Sequence, residues 1–130
     1  MAREVTDRPR KRVLVVDDNA LIRGTTARVL RHSYDVVECQ DYQSVAALLA
    51  EGVDLYATLS DFDLGDGANG LEVLRAVQTA CPHCIRILAS AREDDSVVHD
   101  PVVQRRLLKP WAIDELMRVL GDEAPLPGVG

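Results

Sequence analysis

Short apolar runs alternate with longer amphipathic stretches from Val13 to Leu120. Val13–Val16 packs three valines into four residues, and Asp35–Cys39, Leu55–Ser60, Ile85–Ala89 and the weaker Arg105–Leu108 have similar length. Runs this short, aliphatic and β-branched predict buried strands. Between them, apolar residues recur three or four apart, which predicts helices. The first helix is expected over Ala20–Arg31, behind the cap chemistry of Asp17-Asp18-Asn19. Leu21, Ile22, Thr25, Val29 and Leu30 lie near one face of it. A second is expected over Tyr42–Glu51, with Val45, Leu48 and Leu49 inward and Gly52 closing it. After a loop at Gly65–Gly70, a third covers Leu71–Thr79, with Leu71, Leu74 and Val77 on one side. Asp94–Asp100 predicts a short helix stopped by Pro101. Ile113–Leu120 predicts the last, with Ile113, Leu116 and Leu120 aligned. Residues 1–12 read as a flexible basic N-terminus and residues 122–130 as a disordered tail.

Strands that alternate with helices five times imply an α/β fold whose parallel sheet is covered on both faces. The 130 residues are one domain's worth of chain, and aromatics at 4% leave the core to aliphatic side chains. A net charge of −6 argues against direct nucleic-acid binding. No apolar run approaches the roughly 20 residues of a membrane span, so no membrane partner is expected. The N-terminal apolar stretch ends at Asp17, too soon for a signal peptide, so the expected location is cytoplasmic. Three cysteines do not make a secreted disulfide framework. Cys81-Pro82-His83-Cys84 is a C-x-x-C, but it follows a helix and precedes a strand. The helix dipole there has the wrong sign to activate a thiol, and no second ligand pair follows. A Pro-containing turn with small apolar thiols is the expected reading.

Ligands of parallel sheets bind outside the carboxyl ends of the strands. Asp17 and Asp18 follow the first strand, Asp61 the third, Ser90 the fourth and Lys109 the fifth. A parallel sheet brings all five to one edge. Three clustered carboxylates repel, and a hard divalent cation with oxygen ligands and retained waters resolves this; Mg²⁺ suits such a site. An adjacent ammonium and hydroxyl then fit a centre that receives a phosphoryl group, with a carboxylate as nucleophile.

With these residues in view, the chain resembles a response-regulator receiver domain of two-component signalling. The motifs are Val-Leu-Val-Val-Asp-Asp-Asn at 13–19, Leu-Ser-Asp-Phe-Asp-Leu at 59–64, Gly-Leu-Glu-Val-Leu at 70–74, Leu-Ala-Ser-Ala at 88–91 and Leu-Lys-Pro-Trp at 108–111. The resemblance implies a receiver domain at 13–121 with a flavodoxin-like, doubly wound five-stranded parallel sheet in the order 2-1-3-4-5. It implies Asp61 as phosphoacceptor, Asp18 as a direct Mg²⁺ ligand, Asp17 acting largely through water and the backbone carbonyl of Asp63 completing the protein ligands. Ser90 would be the switch hydroxyl and Lys109 the partner of the phosphoryl group, with a Lys109–Pro110 bond often cis. A sensor histidine kinase or phosphotransfer protein would donate the phosphoryl group. The chain would not be an enzyme beyond its own phosphorylation and dephosphorylation. Ten residues after the last helix are too few for an output domain, so the signal is expected to pass to a protein effector or through a homodimer.

The departures are specific. Gly65 stands where the family usually has proline, and the loop to Asn69 is about one residue longer than usual. Arg106 occupies the position of the aromatic switch, three before the lysine. Arginine does not bury as a ring does. The Ser90–Arg106 segment is also short, so the helix between the last two strands is expected to be stunted. These departures motivate an alternative, a receiver-like adaptor that works without phosphorylation. Asp61-Phe62-Asp63 also mimics the D-x-D of aspartate-based phosphohydrolases, but that motif sits near the start of a longer core. The EF-hand spacing Asp61…Asp63…Glu72 fails because Asp66 stands where that loop needs glycine.

Overall fold

The sheet is built from strands whose side chains alternate between two hydrophobic layers. The computed structural model describes residues 10–65, 67–91 and 99–121. In chain order these form β1 (Arg12–Val16), α1 (Ala20–Leu30), β2 (Asp35–Cys39), α2 (Tyr42–Ala50), β3 (Ala57–Asp61), α3 (Gly70–Ala80), β4 (Ile85–Ser90), β5 (Arg105–Leu108) and α4 (Ile113–Leu120). The five strands are parallel, in the order β2-β1-β3-β4-β5. This is the flavodoxin-like arrangement. Val13 and Val15 point to one layer with Ala57, Leu59, Ile87, Leu30 of α1 and Leu116 and Leu120 of α4. Leu14 and Val16 point to the other, with Val45 of α2 and Val73 and Val77 of α3. Period-two burial along β1 thus closes both faces.

Side-chain caps start the first three helices. Asn19 Oδ1 accepts the Ile22 amide at 3.0 Å, and Asp41 Oδ1 accepts the Ser44 amide at 2.8 Å. At α3, Asn69 Oδ1 accepts the Leu71 amide at 2.9 Å, and Glu72 returns a carboxylate to the Asn69 amide at 3.2 Å. Since Asn19 does the capping, Asp17 and Asp18 are left for other work. Gly52, with φ +84°, follows the C-cap Glu51 and closes α2, as expected.

Several expectations need correction. The inward face of α1 is Thr26, Ala27 and Leu30, whereas Leu21 is 77% exposed and Ile22 38%. Small residues let this helix approach the sheet closely, so its packing face is not its most apolar one. Ile113 is 60% exposed, and α4 packs through Leu116, Val119 and Leu120 instead. β3 begins at Ala57 rather than Leu55, in register with Val13 of β1. Leu55 is nevertheless buried. Most of the helix expected at Asp94–Asp100 lies outside the described residues, as do residues 1–9 and 122–130. The described end of that segment is a turn, where Asp100 Oδ1 accepts the Val102 amide at 3.0 Å. Trp111 packs against the layer that holds Leu116 and Leu120.

The candidate phosphoacceptor cleft

The carboxyl ends of β1, β3, β4 and β5 open into one cleft of about 510 Å³. Asp17, Asp18, Asp61, Asp63, Ser90 and Lys109 all line it. Every site residue expected from the sequence therefore reaches the same place. Asp17, Asp61 and Ser90 are buried, and Asp18 is exposed at the mouth. One carboxylate oxygen from each of Asp17, Asp18 and Asp61 lies within 4.8 Å of the others. Lys109 Nζ sits 2.9 Å from Asp61 Oδ1 and 3.6 Å from Asp17 Oδ2.

Three carboxylates face one ammonium, so the cluster carries excess negative charge. Burial pushes the Asp61 carboxyl above its usual range; Lys109 pulls it back, and the Asp17 and Asp18 charges add to the rise. Burial alone would lower the Lys109 ammonium, but its hydrogen bond to Asp61 and the charges of Asp61 and Asp17 leave it raised. Both directions describe an acid site short of positive charge. An all-oxygen donor set in an open cleft fits a hard divalent cation that keeps part of its water shell.

Local backbone geometry holds these groups. Lys109 donates its amide to the Ser90 carbonyl at 2.9 Å, which fixes the end of β5 beside the end of β4. The Lys109–Pro110 bond is cis, as the resemblance implied. Gly70 abuts the acceptor: a Cβ there would lie 2.9 Å from Phe62 Cα and 3.0 Å from the Asp61 carbonyl carbon. Gly65 has φ +89°, which a proline ring fixed near −65° cannot adopt. The loop beside Asp18 thus takes a path that proline at position 65 would not allow. Arg106 is exposed on β5, as expected for a solvated edge residue.

Sequence reasoning missed three groups. Arg23 donates from Nη1 to the Asp17 carbonyl at 2.8 Å. Arg86 is buried and donates from Nε to the Val102 carbonyl at 2.8 Å, tying β4 to the turn before β5. Arg105 is buried and donates to the Val119 and Gly121 carbonyls, tying β5 to the end of α4. Arginine in a helix or strand reads as a surface residue, so only the spacing Asp17…Arg23, within reach of a long side chain, carried any signal. The three thiols are free and buried. Cys84 closes a turn by donating its amide to the Cys81 carbonyl at 3.0 Å.

Comparison with known proteins agrees with this geometry. Residues 13–120 match the response regulator receiver domain family. No curated protein matches the sequence. Among solved structures, a response regulator from Burkholderia pseudomallei, described with a phosphorylated aspartic acid, a calcium ion and citrate, superposes with TM-score 0.77 at 24% identity over 88% of this chain and 68% of that one. The signal receiver domain of an HD domain-containing protein from Pseudomonas fluorescens Pf-5 gives 0.76 at 24% identity, over 87% of this chain and 85% of that one. Chemotaxis protein CheY4 of Vibrio cholerae gives 0.77 at 21% identity, over 85% of this chain and 96% of that one. At such identities the structural likeness speaks for the fold.

Proposed function

Because the chain belongs to the response regulator receiver domain family of two-component signalling, we propose that it accepts a phosphoryl group on Asp61 and passes the signal to a protein partner. The observation that carries this reading is the contact of Lys109 with Asp61 inside a ring of two further acids. An Asp61 carboxylate oxygen attacks the phosphorus of a donor phosphohistidine or acyl phosphate. The bond from phosphorus to the donor breaks, and an aspartyl phosphate forms. Lys109 balances the charge of the transferred group, and the Ser90 hydroxyl hydrogen-bonds one of its oxygens. Asp17, Asp18, Asp61 and the Asp63 carbonyl would hold Mg²⁺, which when bound neutralises charge between the acids and the incoming phosphoryl group. The Burkholderia neighbour, described with a phosphorylated aspartate and a calcium ion, supports an aspartate that works beside a hard cation.

The donor in this reading is a sensor histidine kinase or phosphotransfer protein, and the output passes to a protein effector or a homodimer. The chain catalyses only its own modification. Among the described residues no helix is long and apolar enough to cross a membrane. Three free thiols suit the cytoplasm, where we place the reaction. Incubation with acetyl phosphate and Mg²⁺, followed by intact-mass measurement, tests the proposal. One added phosphoryl mass on the native chain, absent from Asp61→Asn, is the expected result. No added mass, or equal labelling of the variant, would overturn it.

A further inference from the structure

The turn that carries Asp17 and Asp18 is held from outside the cleft. The Asp17 amide donates to the Cys39 carbonyl at 3.2 Å, at the end of β2. Its carboxylate Oδ1 accepts the Asn19 amide at 3.0 Å. Its carbonyl accepts Arg23 Nη1 at 2.8 Å. The same guanidinium donates from Nε to Glu38 Oε1 at 3.2 Å, and Glu38 Oε2 accepts Arg31 Nη2 at 3.2 Å. Arg23 and Glu38 are largely covered, with side chains 17% and 28% exposed. Glu38 directly precedes Cys39 in β2. The edge strand β2 therefore holds Asp17 twice, by its own backbone and through Arg23.

We infer that Arg23, anchored by Glu38, is a positioning residue for divalent-cation binding; this rests on the phosphoacceptor reading of the cleft. A guanidinium has donors in a fixed fork, so bonding Glu38 with one edge fixes the direction from which the other meets the Asp17 carbonyl. That direction sets the path of the turn and hence where the Asp17 and Asp18 carboxylates point. Groups that orient metal ligands are worth about 10–100-fold in metal affinity. Charge alone predicts the opposite sign. Arg23 is a cation beside an acidic cluster, and removing it lowers the repulsion felt by an incoming Mg²⁺. Positioning and simple electrostatics thus part in direction, not only in size.

Titration of the full chain with MgCl₂ by calorimetry, with amide hydrogen exchange on the metal-free protein, decides between them. Arg23→Gln is expected to weaken Mg²⁺ binding about 10–100-fold and to speed exchange at the Asp17 and Asn19 amides. Glu38→Gln is expected to weaken binding less. The double variant is expected to be no worse than Arg23→Gln alone, since the two residues act as one unit. Arg23→Lys, which keeps the charge and one donor, is expected to recover part of the loss. Mg²⁺ binding by Arg23→Gln as tight as the native chain's, or tighter, would overturn the inference and leave the cleft's function standing. If Arg23→Gln does not fold, native affinity in Arg23→Lys overturns it, and a loss in Arg23→Lys, which keeps the charge, supports it. A native chain that binds no Mg²⁺ would instead bring down the phosphoacceptor reading itself.

Discussion

Lys109 Nζ lies 2.9 Å from Asp61 Oδ1, so the group that would receive the phosphoryl oxygen charge already rests on the nucleophile. Replacing it with Met leaves Asp61 against Asp17 and Asp18 without that ammonium. The carboxyl, already raised by burial, is pushed further toward its protonated, non-nucleophilic form. Lys109→Met is expected to slow labelling by acetyl phosphate about 100-fold or more. Time courses of intact mass would measure this, and an unchanged rate would remove Lys109 from the mechanism.

Mg²⁺ is expected to stabilise the fold. At a concentration about 100 times Kd it adds about 2.7 kcal/mol, a rise of roughly 10 °C in melting temperature. Asp18→Asn is expected to remove most of that rise. The pH dependence has a definite sign. The metal-free Asp61 carboxyl titrates above its usual 3.8, so its contribution to stability is full below that pH and is lost as pH climbs through the raised value. The rise on adding Mg²⁺ should therefore grow with pH over that window, as scanning calorimetry at several pH values would show.

Burial pushes the Cys84 thiol from the usual 9.0 up to about 11. Between those values the unfolded chain has lost the proton and the folded chain keeps it, so stability falls as pH rises. The loss approaches about 2–3 kcal/mol by the upper limit. Urea titrations at pH 8 and 10.5 should show the decline in the native chain and a smaller one in Cys84→Ala. Equal declines would place the alkaline sensitivity elsewhere.

Gly70→Ala puts a methyl group against the backbone of Phe62 and Asp61. Neither neighbour is a flexible side-chain tip that can move aside. Overpacking of this kind costs about 1–3 kcal/mol. The same shift displaces the acceptor, so both the urea midpoint and the phosphorylation rate are expected to fall. Gly24→Ala, inside α1 where a Cβ meets nothing within 4 Å, is the matched control: the phosphorylation rate should stay unchanged, and the urea midpoint should rise rather than fall, since alanine favours a helix interior over glycine.

Strand positions were readable in the sequence because β-branched runs bounded by polar residues leave few alternatives. The cleft was readable for a related reason. In a parallel sheet, the residue after each strand goes to a known edge, so Asp17, Asp18, Asp61, Ser90 and Lys109 could be assigned together. The orientation of α1 was not readable. Leu21 and Ile22 look like core residues by composition, yet Thr26 and Ala27 pack because close approach favours small side chains. Ile113 misled in the same way. Arg86 and Arg105 were invisible as interior groups, since what makes them tolerable is backbone carbonyls from distant turns. Those partners exist only once the chain is folded.

The seat of Gly70 against the Asp61 backbone has a mechanical corollary. α3 begins at that contact and runs eleven residues, a stiff rod about 16 Å long. With only a glycine between them, there is no slack to absorb a displacement of the acceptor. A displacement of that main chain therefore meets the first turn of the rod before any side chain can yield, and the rod ends beside the turn of Cys81 and Cys84.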